Sequence, residues 1–242
     1  MKIIYRLVPI LVLALVAWAA PASAQTPAQS APAAPAGAFY AVTYFDVAPA
    51  DSHKAIALLR QYRSATRSAN GNVELTVLHE LNRSGRLAII EGWKDKAAYD
   101  ANAGAMKELG GKLQPKLLAP FDGRTYVPLA VGSPGDGGVY VVTHVDVFPK
   151  GKDDVAGLIK SLIVASQGDS GRVRFDALVS DEHPNHFDLI AAWTDKKAEE
   201  AHAAADHTKE FRAKVQPFEG AYYDERRYEQ IGEKKAKEPK DQ

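Results

Sequence analysis

The sequence has no cysteine among its 242 residues. That removes disulfide staples, thiolate metal sites and thiol nucleophiles, so the fold must rest on core packing. It also lacks an excess of either charge, because 30 Lys and Arg balance 30 Asp and Glu. A chain that coats nucleic acid needs a large positive excess to neutralise phosphates, and a disordered chain needs few apolar residues. With 46% of its residues apolar and no net charge, this chain belongs to neither class. Only one long apolar run occurs, Leu7 to Ala20, and Pro9 interrupts it. It is shorter than the roughly 20 residues of a spanning helix. Lys2 and Arg6 precede it and Ala22-Ser23-Ala24 follows, so residues 1–24 read as a signal peptide cleaved before Gln25. The expectation is a secreted or periplasmic protein with no membrane anchor after cleavage. Losing Lys2 and Arg6 leaves 28 basic residues against 30 acidic ones, which supplies no basic patch for a nucleic-acid partner.

Residues 25–38 are mostly Ala, Pro, Gln, Ser and Thr and read as a flexible linker. A second break, rich in Gly and Pro, spans 129–138, and residues 232–242 form a charged tail. The segments between the breaks, 39–128 and 139–231, repeat each other at an offset of 100 residues. Tyr40, Val42, Thr43, Asp46, Val47 and Pro49 recur as Tyr140, Val142, Thr143, Asp146, Val147 and Pro149. Gly71 pairs with Gly171, Trp93 with Trp193, and Asp95-Lys96 with Asp195-Lys196. After a two-residue insertion the offset is 102, so Lys107-Glu108 pairs with Lys209-Glu210 and Tyr126 with Tyr228.

Each repeat predicts strand, helix, hairpin, helix, strand. Phe39 to Val47 and Val139 to Val147 are rich in β-branched and aromatic residues and stop near a proline. Ala55, Leu58, Leu59, Tyr62 and Thr66 follow at helical spacing, as do Val155, Leu158, Ile159, Leu162 and Ser166. The alternation Val73, Leu75, Val77 and the run Leu87 to Trp93 flank a turn at Arg83-Ser84-Gly85. The fold class is therefore α+β, with two tandem ferredoxin-like βαββαβ units. Each sheet has one uncovered apolar face, so the units should pack sheet to sheet.

The strand ending in Val-x-Pro, Glu91-Gly92-Trp93-Lys94-Asp95 in the first unit, and Ala201, His202, His207, Thr208 and Phe211 after Trp193 in the second resemble the antibiotic biosynthesis monooxygenase (ABM) domains. The resemblance implies a dimeric α+β barrel, made here as a pseudo-dimer within one chain, with further homo-oligomers left open. It implies a small aromatic or quinone-like ligand and, in active relatives, oxidation of quinols or phenols by oxygen without any cofactor. The expected function is an exported monooxygenase-like protein that binds such a compound and oxidises it. The alternative is a non-catalytic ligand-binding or stress-related barrel.

Cofactor-free oxygenation needs an apolar pocket, a base and donors for the substrate anion, which makes Trp, His and Tyr the relevant types. The catalytic candidates are His207, His144 and Trp193; the substrate-binding candidates are Trp93, Tyr44, Tyr40, Tyr140 and His202. Trp93 and Trp193 match the cavity Trp of active relatives, with burial in the core of their own unit as the alternative. Tyr40 and Tyr44 share one strand face, as do Tyr140 and His144, and this mixed face is expected to look into the cavity. On a continuous helix His202 and His207 lie about 140° apart, so they share no metal unless the helix breaks. No metal is expected. The loop around His183 and His186 offers two imidazoles, but turn chemistry explains its Asp, Pro and Asn without a metal, and two imidazoles alone define no site. The first-strand Asn of haem-degrading relatives is absent, and Ile89 and Leu189 stand where quinol-oxidising relatives carry another Asn.

Overall fold

A computed structural model describes residues 30–33 and 35–232. The signal peptide expected at 1–24, residues 25–29 and 34 of the linker and the tail beyond Gly232 lie outside the described residues. The first unit runs β1 (Phe39–Asp46), α1 (Ser52–Thr66), β2 (Asn72–Glu80), β3 (Arg86–Trp93), α2 (Lys96–Ala101), α3 (Ala103–Leu113) and β4 (Asp122–Ala130). The second repeats it with β5 (Val139–Asp146), α4 (Lys152–Ala165), β6 (Arg172–Ser180), β7 (His186–Trp193), α5 (Lys196–Ala204), α6 (Asp206–Val215) and β8 (Asp224–Gln230). The helical stretch expected as one piece after each Trp is two helices, joined at Asn102 in the first unit and Ala205 in the second.

The sheets do more than face each other. The eight strands close into one antiparallel barrel in the order β1-β3-β2-β8-β5-β7-β6-β4. The last strand of each unit bridges to the other unit, β8 pairing with β2 and β4 with β6. β4 runs through Pro128 to Ala130, with a register shift between them, so it extends two residues into the expected linker.

Helices cover the barrel outside over β1, β3, β5 and β7, which are buried on both faces, whereas β4 and β8 stay partly exposed. In β1, Tyr40, Val42 and Tyr44 point into the barrel, while Phe45 and Val47 pack under α1 and α3. The barrel interior is a filled core, in which Tyr40, Tyr44, Tyr126, Tyr140 and Tyr228 interdigitate with Leu78, Ile90, Val142, Leu178 and Ile190. Each unit keeps a second core between its sheet and its own helices.

One contact inside the barrel joins repeat mates. Arg174 reaches across to Glu74 and also pairs with Asp176 on its own strand, all three side chains being at most 4% exposed. A residue that touches its own repeat mate lies on the pseudo-twofold axis. Two copies of the first unit would set Glu against Glu there, and two copies of the second Arg against Arg. The charge reversal therefore favours the pairing of unlike units.

Gly71 and Gly171 hold φ of +86° and +77° just before β2 and β6. A Cβ at Gly171 would stand 2.5 Å from Ala198 Cβ and 2.6 Å from Thr194 Oγ1. The carbonyl of Gly171 accepts the Thr194 N–H at 2.8 Å, which ties the end of β7 to the loop before β6. Gly171→Ala is expected to lose about 2 kcal/mol or more, from left-handed strain plus the clash. Urea unfolding of the variant measures this, and an unchanged midpoint would contradict it.

Candidate functional site

The residues singled out in the sequence fall into two places on opposite faces of the sheet. Tyr40, Tyr44, Tyr140 and His144 face the barrel interior, as their shared strand face requires, but that interior is packed and is not the cavity expected there. At one end of it His144 donates from Nδ1 to Asp188 Oδ1 at 2.6 Å, and its ring lies edge-on to Tyr44 with centroids 5.5 Å apart. Arg124 and Arg226 stack over the Tyr44 ring at 5.7 and 5.6 Å, each tied to an aspartate two residues earlier. Burial pushes the Tyr44 hydroxyl well above the usual tyrosine range, so it stays protonated.

Trp93, Trp193, His202 and His207 lie on the outer face, beneath the helices. Trp93 is a buried aromatic of its own unit, edge-on to Tyr99 at 6.5 Å. Beside it the first unit carries no histidine. Tyr62 donates to the Glu91 carboxylate at 2.6 Å and accepts from Asn102 Nδ2 at 3.1 Å. Burial raises Glu91 to about 7 against the pull of the Tyr62 hydrogen bond.

The second unit differs at every one of these positions. Asp195 caps α5 by accepting the Ala198 N–H at 2.9 Å, which starts the helix immediately after Trp193. Ala205 is extended, with φ −66° and ψ 150°, so α5 ends and α6 begins on a new phase. That break resets the phase of α6 against α5, so that His202 and His207, about 140° apart on a continuous helix, both reach Asp169. The His202 ring stacks on Trp193 at 4.6 Å and meets the Phe175 ring edge-on at 5.5 Å. Asp169, in the turn between α4 and β6, accepts from His202 Nδ1 at 2.7 Å and from His207 Nε2 at 3.0 Å through the same oxygen. The two histidines that a continuous helix would have separated are thus brought together, with His202 the more buried, at 11% side-chain exposure against 25% for His207.

With Nδ1 donating to a carboxylate, His202 keeps its lone pair on Nε2. Thr208 Oγ1 stands 3.3 Å from that nitrogen. Burial holds the imidazole below the usual histidine range, and Asp169 opposes this only in part. A cavity of about 30 Å³ adjoins it, walled by Leu162, Phe175, Leu189, Trp193 and Thr208, with Arg212, Tyr223 and Glu225 also lining it. That is room for about one or two waters, well below the roughly 300 Å³ of an ordinary ligand pocket. Leu189, which replaces the Asn of some relatives, supplies an apolar wall here.

His183 and His186 lie elsewhere, with rings 5.0 Å apart, and His186 approaches Asp146 at 3.6 Å. Asp169 was not evident from the sequence. The available signal was its repeat mate, Ala69, whose side chain has no hydrogen-bonding group.

The sequence family described as antibiotic biosynthesis monooxygenase matches residues 38–104 and 138–214. Among solved structures, a candidate monooxygenase from Fusobacterium nucleatum is 15% identical, with a TM-score of 0.71, covering 81% of this chain and 94% of its own. Another, from Lactobacillus acidophilus NCFM, is 13% identical, with a TM-score of 0.68, covering 80% of this chain and 94% of its own. An anthrone oxidase-like protein is 14% identical, with a TM-score of 0.67, covering 81% of this chain and 92% of its own. At these identities the likeness is one of fold. A search of the curated proteins finds no match.

Proposed function

The chain belongs to the antibiotic biosynthesis monooxygenase family, and from that premise we propose that its second unit binds a small phenol- or quinol-type compound and deprotonates it with His202. The anion then passes electrons to oxygen without a cofactor. The observation that carries this reading is the Asp169-oriented imidazole stacked on Trp193 at the edge of an apolar cavity. A base must be deprotonated and aimed at the proton it takes, and here burial and Asp169 supply those two conditions in turn. Trp193 forms one wall, and its indole N–H, which meets no acceptor among the described residues, is available to an anionic ligand oxygen. His207 steadies Asp169. The first unit, with Ala105 and Asn102 near the equivalent positions, serves as scaffold.

An aromatic ring does not fit in about 30 Å³, so binding requires α5 and α6 to part from the sheet, with Ala205 as the hinge. The same observation favours a second reading, a non-catalytic barrel that binds small molecules. Oxygen uptake by residues 25–242 with a panel of quinols and phenols separates the two. The first reading expects uptake that falls by a factor of about 10² to 10⁴ in His202→Ala and persists in His144→Ala. Quenching of tryptophan fluorescence without uptake supports the second, and neither signal defeats both. Export belongs to this proposal too. It expects the mature protein to begin at Gln25 in the periplasmic or secreted fraction, as N-terminal mass spectrometry would detect.

A further inference from the structure

We propose that Asp169, His202 and His207 form a binding site for a divalent first-row transition-metal ion. One ligand atom from each residue lies within 4.8 Å of the others, and the three come from separate segments, the turn before β6, α5 and α6. In tetrahedral coordination with bonds of about 2.0–2.1 Å, ligand atoms sit roughly 3.3 Å apart. The two separations to Asp169 Oδ2, 2.7 and 3.0 Å, need to open by roughly 0.6 and 0.3 Å to reach that spacing. Two imidazole nitrogens and one carboxylate suit zinc and its neighbours in the series. They do not suit calcium or magnesium, which prefer all-oxygen sites.

Three further observations support the assignment. Asp169 has no Lys or Arg partner among the described residues, so its charge is met only by the two histidines. The His202 ring is already held by Trp193 and Phe175, as metal-bound imidazoles are held by their surroundings. The duplication supplies an internal control, because the first unit has Ala69 and Ala105 at two of the positions and Asp100 or Asn102 near the third, and so lacks the set. The partly exposed His207 leaves a side through which an ion and its remaining water ligand can enter.

The site is independent of the base reading, and the two compete. An ion on His202 Nδ1 takes the place of the proton shared with Asp169, so metal should suppress any proton abstraction by His202. Oxygen uptake measured in chelator therefore tests the base, and metal binding tests this site.

Zn²⁺ titrated into chelator-stripped residues 25–242 by calorimetry is expected to bind one per chain. A hundredfold excess over Kd should raise the melting temperature by about 5 °C or more. Asp169→Asn and His207→Ala should each weaken binding by about tenfold or more, with unchanged circular dichroism. The double replacement His183→Ala and His186→Ala should leave it intact. Absence of stoichiometric binding overturns the proposal, as does wild-type affinity in both site variants or loss of binding in the His183/His186 variant alone.

Discussion

Arg174→Met is expected to remove about 3–5 kcal/mol of folding stability, the largest effect of any single replacement considered. The guanidinium lies between Glu74 and Asp176 inside the barrel, with all three side chains at most 4% exposed. Without it, two buried carboxylates face each other across the axis that joins the units. Even with Arg174 present, burial holds Asp176 above its usual range. A carboxyl raised in the folded state favours folding when protonated, so the deficit of the variant should narrow as the pH falls. Urea unfolding at pH 5 and pH 8 measures both the loss and its slope. Removing all three charges together with apolar residues of similar volume should recover most of the loss, since a buried ion cluster is rarely better than a packed apolar one. A midpoint that does not move in Arg174→Met would show that the cluster contributes no stability.

Glu91→Gln should act in the opposite direction. Glu91 is 1% exposed and its carboxyl is raised to about 7, against 4.5 for an unperturbed glutamate. Below about pH 4.5 the side chain is protonated in both folded and unfolded chains and costs nothing. Between 4.5 and 7 the unfolded chain loses its proton first, so stability drains away as the pH rises, and above 7 the full penalty is in place. A difference of that size is about 3 kcal/mol. Glutamine keeps an oxygen for the Tyr62 hydroxyl and has no proton to lose, so the variant should match the wild type near pH 4.5. By pH 8 it should exceed the wild type by up to about 3 kcal/mol, or several degrees in melting temperature. A difference that is constant with pH would show that Glu91 titrates normally in the folded protein.

The architecture was legible because duplication writes the same pattern twice. Strand residues such as Tyr40 and Val42 recur with their mates in register, and one reading corrects the other. Barrel closure was less legible. Which strand edge meets which depends on β4 and β8 pairing across to the other unit while each stays paired within its own, and no local propensity encodes that bridge. The site was legible in its residue types and not in its geometry. Trp193, His202 and His207 were named from their sequence context, but a helix phase carried through Ala205 separated the two histidines that in fact share Asp169. The jump in repeat offset from 100 to 102 between Lys196 and Lys209 was the available sign that the helices of the two units are not equivalent. Tyr44 and His144 do share a strand face, yet that face is filled by side chains from both units, a fact that belongs to the assembled barrel. Asp169 and Glu91 act through partners far away in sequence, and neither residue is unusual in its own neighbourhood.

The bridging by the last strands also bears on how the chain is made. A first unit synthesised through Ala130 has β2 and β4 as open edges, because the partners of both, β8 and β6, have not yet been translated. Until then each edge presents unpaired N–H and C=O groups to any other chain nearby. β8, the last strand, fills the gap beside β2 and completes the ring. The barrel thus closes only after both units have emerged, and the earlier half spends the interval as a template in need of shelter.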